Sequence, residues 1–373
     1  MRPKLSVVLP CYNHAAYVER ALRSVLTQGL DDLELVVVDD GSTDGTYDEV
    51  ERALADAGST RVVLHRQANA GSHAAIARGL ELATGDVVAL LNSDDEYAPG
   101  RLARALEAAP KGGDFLLFTG VEMVDGTGRP LAPRDDLARW YQLALRQSTS
   151  CPTVGYALLC NNIAVTSGNL VFSRGLAARA GGLAPWRFCP DWAFVLRCLR
   201  LVEPVFVPEP LYRYRVHESN TIDQAEVRDI DAEYGRFVAE YLRACADEAP
   251  ANPLAPCARN WPWYFPYFAR TRRRFDSHLI AELFDDPALC PWPTPPAGAW
   301  EPWAGGVLAL HERDDLGRLV SAAGAGSLPA HEGQALLREL ALVRMGAHRR
   351  WPEFAPPGVS ELELAREWVR TTR

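Results

Sequence analysis

Short apolar runs alternate with stretches of helical periodicity through the first hundred residues. Leu5 to Leu9 is an apolar run closed by Pro10 and reads as a buried strand. Tyr17 to Gln28 follows with Val18, Ala21, Leu22, Val25 and Leu26 at helical spacing. Leu33 to Val38 is a second strand, ending in Asp39-Asp40-Gly41-Ser42, and Thr46 to Ala57 reads as a helix with Asp44 as its cap. Arg61 to His65 is a third strand, His73 to Ala83 a helix punctuated by Gly85, and Val87 to Leu91 a fourth strand ending in Asn92-Ser93-Asp94-Asp95. These strands read as apolar on both faces, the pattern of a parallel sheet covered by helices on both sides. In such sheets ligands bind beyond the carboxyl ends of the strands. The unusual polar segments all sit at such ends.

The pattern continues with a strand over Phe115 to Val124, a helix over Leu137 to Leu145 and a short strand over Asn169 to Phe172. A helix over Trp192 to Val202 follows Asp191, and short strands at Val205 to Val207 and Tyr212 to Val216 close the region. Beyond Ile222 the character changes to a helix over Glu226 to Ala246, then proline- and tryptophan-rich stretches, then helical patterns at Leu336 to Val343 and Ser360 to Val369. The expected organisation is an α/β domain over 1–222 and a mostly helical extension over 223–373.

Composition narrows the function classes. The chain has 373 residues, 48% of them hydrophobic, enough for two domains. A net charge of -9 repels phosphate backbones, which argues against nucleic acid as a partner. No run approaches the ~20 apolar residues that span a bilayer, and the first residues carry no cleavage-like site. The eight cysteines are scattered and form no C-x-x-C pair, as expected of reduced, buried thiols in a cytoplasmic protein.

Four segments carry candidate chemistry. Adjacent carboxylates at Asp39 and Asp40 repel each other and are tolerated where a ligand supplies donors, such as a base N–H or a ribose hydroxyl; the alternative is a turn built by Asp40 and Ser42. Asp94 and Asp95 are oxygen ligands suited to Mg²⁺ or Mn²⁺, which would bridge a diphosphate and offset the acidic field; the alternative is an acidic cluster ahead of a helix. Asp191 opens an amphipathic helix and is either an N-cap or a general base that takes the proton of an acceptor hydroxyl. Alternation places Arg213, Arg215 and His217 on one face of a strand, where a basic face could meet phosphate and His217 could bind metal; the plainer reading is a solvated histidine.

Taken in order, these segments resemble the family 2 glycosyltransferases, which have the GT-A fold. Leu5-Ser-Val-Val-Leu-Pro10-Cys-Tyr12-Asn13 looks like their first strand, and Asp39-Asp40-Gly-Ser-Thr-Asp-Gly-Thr46 is a close match. Asn69-Ala-Gly71 and Gly85-Asp86 lead to Asn92-Ser-Asp94-Asp95, similar to the family's DxD-type site. Asp191-Trp192 and Arg215-Val-His217-Glu-Ser219 resemble the base motif and the motif that closes the donor site. The resemblance covers about residues 4–221. It implies a GT-A sheet, a nucleoside-diphosphate sugar donor (commonly a UDP-sugar), a divalent metal and inversion at the anomeric carbon. It implies nucleotide contacts from Pro10, Tyr12, Asp39, Asp40 and Asp94, metal contacts from Asp94, Asp95 and His217, and Asp191 as base. Asn92, Trp192 and Arg215 are candidates to touch the donor sugar or acceptor. The sequence departs from the family at Asn92, where many relatives have Asp, at Ile76 and Ala77, and at Ala193.

The extension holds Trp261-Pro-Trp263-Tyr264-Phe265-Pro-Tyr267-Phe268 followed by Arg270, Arg272, Arg273 and Arg274. It reads as a peripheral contact at the inner face of a membrane, as a surface for a sugar or protein acceptor, or as aromatics that bury the extension against the catalytic domain. It could also supply a homodimer interface. The expected acceptor is a glycan, a lipid-linked saccharide or a protein, in bacterial-type surface glycan synthesis. Two competing enzyme classes fail at the first loop. Cys11-Tyr-Asn-His-Ala is neither the glycine-rich basic loop of a sugar nucleotidyltransferase nor a G-x-G-x-x-G dinucleotide turn. A degenerate nucleotide-sugar-binding or scaffold protein is the non-enzymatic alternative.

Overall fold

The computed structural model describes residues 5–55, 58, 60–149, 151–218, 220, 227–261 and 265. One sheet of eight strands runs in the order β3-β2-β1-β4-β7-β6-β8-β5. Its first half is the parallel array expected: β1 (Leu5–Cys11), β2 (Leu33–Asp39), β3 (Arg61–Arg66) and β4 (Val87–Leu90), with β1 between β2 and β4. The crossovers are α1 (Val18–Leu26), α2 (Thr46–Leu54) and α3 (Ser72–Leu82). Every residue of β1 and β2 is buried, whereas the edge strand β3 is exposed at both ends. Being parallel, these strands deliver the loops after Cys11, Asp39, Arg66 and Leu90 to the same edge of the sheet.

The second half of the sheet is mixed. β7 (Leu170–Ser173) lies between β4 and β6 (Leu116–Val124) and is antiparallel to both. β8 (Val205–Arg215) is parallel to β6, and the two-residue β5 (Glu96–Tyr97) is antiparallel to β8. Two short strands were expected where β8 runs continuously. Pro208 and Pro210 interrupt the apolar pattern, and the β6–β8 register shifts on either side of Gly120, where a Cβ would meet the Pro208 carbonyl at 2.5 Å. The helices α4 (Arg101–Ala108), α5 (Asp136–Ser148), α6 (Val154–Cys160), α7 (Arg174–Ala180), α8 (Pro190–Leu199) and α9 (Val227–Asp247) and a 3₁₀ turn (Ser167–Asn169) complete the described elements. The expectation missed α4, α6, α7 and β5.

A buried polar knot locks the far end of the parallel array. Glu34 is fully buried in β2 and accepts from Ser6 Oγ at 2.5 Å and from the backbone N–H and hydroxyl of Thr84 at 2.8 and 3.0 Å. Gly85 donates its N–H to Ser6 Oγ at 2.8 Å, and a Cβ at Gly85 would lie 2.7 Å from the Ser6 nitrogen. The Gly85 of the sequence motif is thus a close backbone approach.

The chain divides into two compact units. The first holds residues up to 144 together with 162–198 and 204–226; the second holds 145–161, 199–203 and the chain from 227 onward. The second unit therefore takes in two segments that precede residue 222. Among the described residues of this second unit, Trp261 and Phe265 are fully buried. Trp261 donates its indole N–H to the Leu254 carbonyl at 3.2 Å, and its ring meets Tyr156 edge-on at 5.3 Å. Both rings are buried inside this unit rather than against the first one. Trp263, Tyr264, Tyr267, Phe268 and the arginines after them lie outside the described residues, as do the helical patterns beyond 330. No helix among the described residues is long and apolar enough to cross a membrane.

Candidate functional site

The site is built from the loops at the carboxyl edge of the parallel strands. The loop after β1 is laced to the loop after β2. The N–H of Asn13 donates to Ser42 Oγ at 3.0 Å, that of His14 to Thr46 Oγ1 at 2.8 Å and that of Ala15 to Asp44 Oδ2 at 3.0 Å. Thr43 returns its N–H to Asn13 Oδ1 at 2.9 Å, and Asn13 sits at φ 53°. The N-cap of α2 is Gly45 rather than the expected Asp44, which sits one residue earlier, accepts from the Thr46 N–H at 2.9 Å and holds the neighbouring loop together. Pro10 is buried, whereas Tyr12 is 45% exposed, one of only three large hydrophobic side chains so exposed among the described residues.

The paired carboxylates Asp39 and Asp40 are both buried. Asp39 Oδ2 meets Arg66 Nε at 3.0 Å and the Ser42 N–H at 3.3 Å. Asp40 accepts from Gln67 Nε2 at 2.8 Å and from the N–H groups of Ala70 and Gly71 at 3.0 and 2.8 Å. These two charges hold the loops that follow β2 and β3.

The loop after β4 carries a second, tighter pair. Asp95 is 1% exposed and saturated: Oδ2 accepts from the Tyr212 hydroxyl at 2.6 Å and Asn92 Nδ2 at 3.2 Å, and Oδ1 from the Arg215 N–H at 2.8 Å. Burial pushes its pKa well above the usual carboxylate range, and the Asp94 charge pushes it further, against these bonds. In Asp94, burial is outweighed by the hydrogen bond from His217 and by the imidazoles of His14 and His217, which hold the carboxyl below its ordinary value. His217 Nε2 lies 3.1 Å from Asp94 Oδ2, and His14 Nε2 3.9 Å from the same oxygen. One donor atom from each of the three residues lies within 4.8 Å of the others. Two imidazoles and a carboxylate fit a divalent metal, and this trio differs from the sequence expectation by adding His14 and leaving Asp95 out.

Arg215 is buried, and its guanidinium is wholly engaged inside the protein. It donates to the carbonyls of Asp94 at 2.7 Å, Asp125 at 3.0 Å and Gly126 at 3.2 Å, and pairs with the Glu96 carboxylate. Arg213 on the same strand pairs with Glu122 at 3.1 Å. Asn92 is equally committed. Its amide donates to Asp95 and, at 2.6 Å, to Thr166 Oγ1, and its Oδ1 accepts from Ser167 Oγ at 3.1 Å.

Asp191 lies in the first turn of α8, which packs on β7 through Phe194 and Phe172, with ring centroids 5.4 Å apart. Asp191 Oδ2 accepts from Asn162 Nδ2 at 2.9 Å, and the Asn162 Oδ1 is buried without a hydrogen-bond partner. The neighbouring Trp192 is half-buried. The segment 162–169 thus bonds the Asn92-Ser-Asp94-Asp95 turn near one end and Asp191 at the other. Sequence reading missed His14, Asn162 and Tyr212. His14 stood in plain view in the Tyr12-Asn13-His14 loop, whereas Asn162 has no local signal.

Comparison with known proteins agrees with this architecture. Residues 6–161 match the family model of glycosyl transferase family 2. An uncharacterized glycosyltransferase of Nostoc sp. is 28% identical over 228 residues, 58% of this chain and 66% of the relative. The putative teichuronic acid biosynthesis glycosyltransferase TuaG of Bacillus subtilis is 35% identical over 35% of this chain and 51% of its own length. A Campylobacter jejuni enzyme, GalNAc(5)-diNAcBac-PP-undecaprenol beta-1,3-glucosyltransferase, is 34% identical over 30% of this chain and 36% of its length. The chain thus matches less than two thirds of the length of each of these relatives. The crystal structure of S. aureus TarS 1-349 in complex with UDP-GlcNAc superposes with a TM-score of 0.52 at 17% identity, covering 92% of this chain and 91% of that one. The segment 6–161 is thus similar to glycosyl transferase family 2, and the likeness to TarS shows the same fold.

Proposed function

We propose that this chain is an inverting glycosyltransferase. It moves a sugar from a nucleoside-diphosphate sugar, most simply a UDP-sugar, to an acceptor hydroxyl, with Asp191 as base and Mn²⁺ or Mg²⁺ at the site. The observation that carries the reading is the 162–169 segment, which bonds the turn bearing Asp94 and also the proposed base. Tyr12 offers an exposed ring edge or face for a nucleobase, while Pro10, Asp39 and Asp40 shape the pocket, the carboxylates through the loops they hold. Asp94 and His217 hold the cation, whose part when bound is to neutralise the diphosphate. Asp95, Asn92 and Arg215 fix the turn that presents Asp94, and Trp192 stands beside the base to meet donor sugar or acceptor.

In the transfer, the acceptor oxygen attacks the anomeric carbon as the bond to the diphosphate oxygen breaks. The acceptor proton passes to Asp191, and the nucleoside diphosphate leaves with the bonding electrons. A lipid-linked saccharide is the acceptor class this reading favours, since one relative is named for a PP-undecaprenol-linked saccharide. A peripheral position at the inner face of the membrane would follow from such an acceptor.

Thermal shift with a panel of nucleoside diphosphates, with and without Mn²⁺, tests the reading. At about 100 times its dissociation constant a ligand stabilises by roughly 2.7 kcal/mol. A Mn²⁺-dependent shift with UDP is expected, retained in Asp191→Asn while transfer falls by about 10²–10⁴. Absence of a shift with every nucleotide would refute the donor assignment. Binding without turnover of any donor would favour the degenerate-binding alternative.

A further inference from the structure

We propose that His14 is a third protein ligand of the cation site, completing a two-imidazole, one-carboxylate donor set that takes Mn²⁺ in preference to Mg²⁺. The inference rests on the metal-binding part of the proposed function and requires neither the donor nor the transfer step.

Four observations converge on His14. The first is distance. Two donors each about 2.1 Å from an octahedral ion lie roughly 3 Å apart when adjacent and roughly 4 Å apart when opposite. Around Asp94 Oδ2, His217 Nε2 stands at 3.1 Å and His14 Nε2 at 3.9 Å. The second is the state of the ring. His14 Nδ1 is 2.8 Å from Ser93 Oγ, a hydroxyl able to accept the Nδ1–H of the tautomer whose Nε2 carries the lone pair. In that tautomer Nε2, 3.9 Å from Asp94 Oδ2, is the ligand atom.

The third is support. The backbone on both sides of His14 is tied to Ser42, Asp44 and Thr46, so a loop histidine is held as firmly as one on a strand. Tyr17 stacks on His217 at 4.8 Å and meets His14 edge-on at 6.1 Å, bracing both imidazoles. The fourth is charge. Asp95 is already saturated by Tyr212, Arg215 and Asn92, so Asp94 is the only carboxylate of the trio. A dication there keeps net positive charge for a diphosphate. The donor set also decides which dication. Imidazole nitrogen suits first-row transition metals, whereas Mg²⁺ seeks oxygen ligands and keeps its waters.

The test uses the purified full-length chain and Mn²⁺ alone. Titration followed by electron paramagnetic resonance gives the affinity, and electron spin-echo modulation counts the imidazole nitrogens coupled to Mn²⁺. The wild type is expected to show two nitrogens and to keep most of its Mn²⁺ against about tenfold excess Mg²⁺. His14→Ala and the bulkier His14→Gln should each show one nitrogen and bind Mn²⁺ weaker on the order of tenfold or more, with circular dichroism unchanged. Mn²⁺ bound through a single nitrogen in the wild type, unchanged affinity in both variants, or displacement by Mg²⁺ would overturn the role of His14 while leaving a cation at Asp94 and His217. Failure of the wild type to bind Mn²⁺ at all would overturn both this inference and the metal assignment beneath it.

Discussion

Asn162 shows how a single amide can link two parts of a site. Its Nδ2 is committed to Asp191 at 2.9 Å, while its Oδ1 is buried and without a partner, an arrangement that ordinarily costs about 1–3 kcal/mol. Its amide N–H, donated to the carboxylate of the proposed base, fixes the direction in which that carboxylate points. Asn162 is therefore read as a positioning residue for Asp191. Asn162→Ala is expected to lower kcat by roughly tenfold to a hundredfold while the donor KM changes little, since misplacement of a reacting group has costs of that order. Asn162→Asp sets a like charge against Asp191, raises its pKa and moves the acid limb of the pH–rate profile to higher pH. A fall in kcat with no movement of that limb would assign Asn162 a purely structural part. Gly168 in the same segment serves geometry alone: a Cβ there would lie 2.0 Å from the Tyr212 hydroxyl, which must pass to reach Asp95.

At the scale of elements, buried polar groups fasten strands and turns together. Arg101 at the start of α4 is fully buried. It donates to Thr119 and, at 2.9 and 2.8 Å, to the carbonyl and side-chain oxygens of Asn169. Its guanidinium lies over the rings of Tyr97 and Tyr212, at 4.8 and 5.1 Å. This core fixes Tyr212, and through it Asp95. At the opposite end of the sheet, Glu34 performs the fastening, and it makes stability depend on pH. Burial opposes its charge, but the bonds from Ser6 and Thr84 and the nearby Arg61 prevail and hold its pKa below the ordinary value. The folded chain therefore binds this proton less readily than the unfolded chain. Its contribution is complete above the usual carboxylate range, about pH 4.3, and is lost as pH falls through the lower folded pKa. Unfolding free energy measured by denaturant from pH 7 downward should fall on the acid side in the wild type. In Glu34→Gln the protein should be less stable at pH 7 and its acid-side slope shallower. An unchanged slope would show that other carboxylates govern the acid limb.

Across the whole molecule, what was legible in the sequence follows the range of the interactions involved. β1, β2 and β4 were readable because burial on both faces leaves an apolar run, and the ordered motifs nominated Asp94, Asp191 and His217, of which the fold brings Asp94 and His217 to 3.1 Å. The antiparallel β7 and the fusion of two segments into β8 were not readable, since each depends on a neighbour distant in sequence. His14 met Asp94 only through folding, and Arg215, read as a basic face, turned out to be consumed by internal carbonyls and Glu96. The aromatic stretch after residue 260 had three readings because composition does not say where a ring goes, and packing in the second unit decides for Trp261. With its ring fully buried against Tyr156 and its N–H on Leu254, truncation removes a large apolar body and leaves a cavity. Trp261→Ala is expected to cost about 3–5 kcal/mol, read as a lower denaturant midpoint. Were Trp261 instead a membrane or sugar contact, the substitution would leave the midpoint within about 0.5 kcal/mol and weaken binding to anionic lipid vesicles or saccharide. Measuring both on the same variant separates the readings, because a buried ring cannot be removed without cost to stability and an exposed one can.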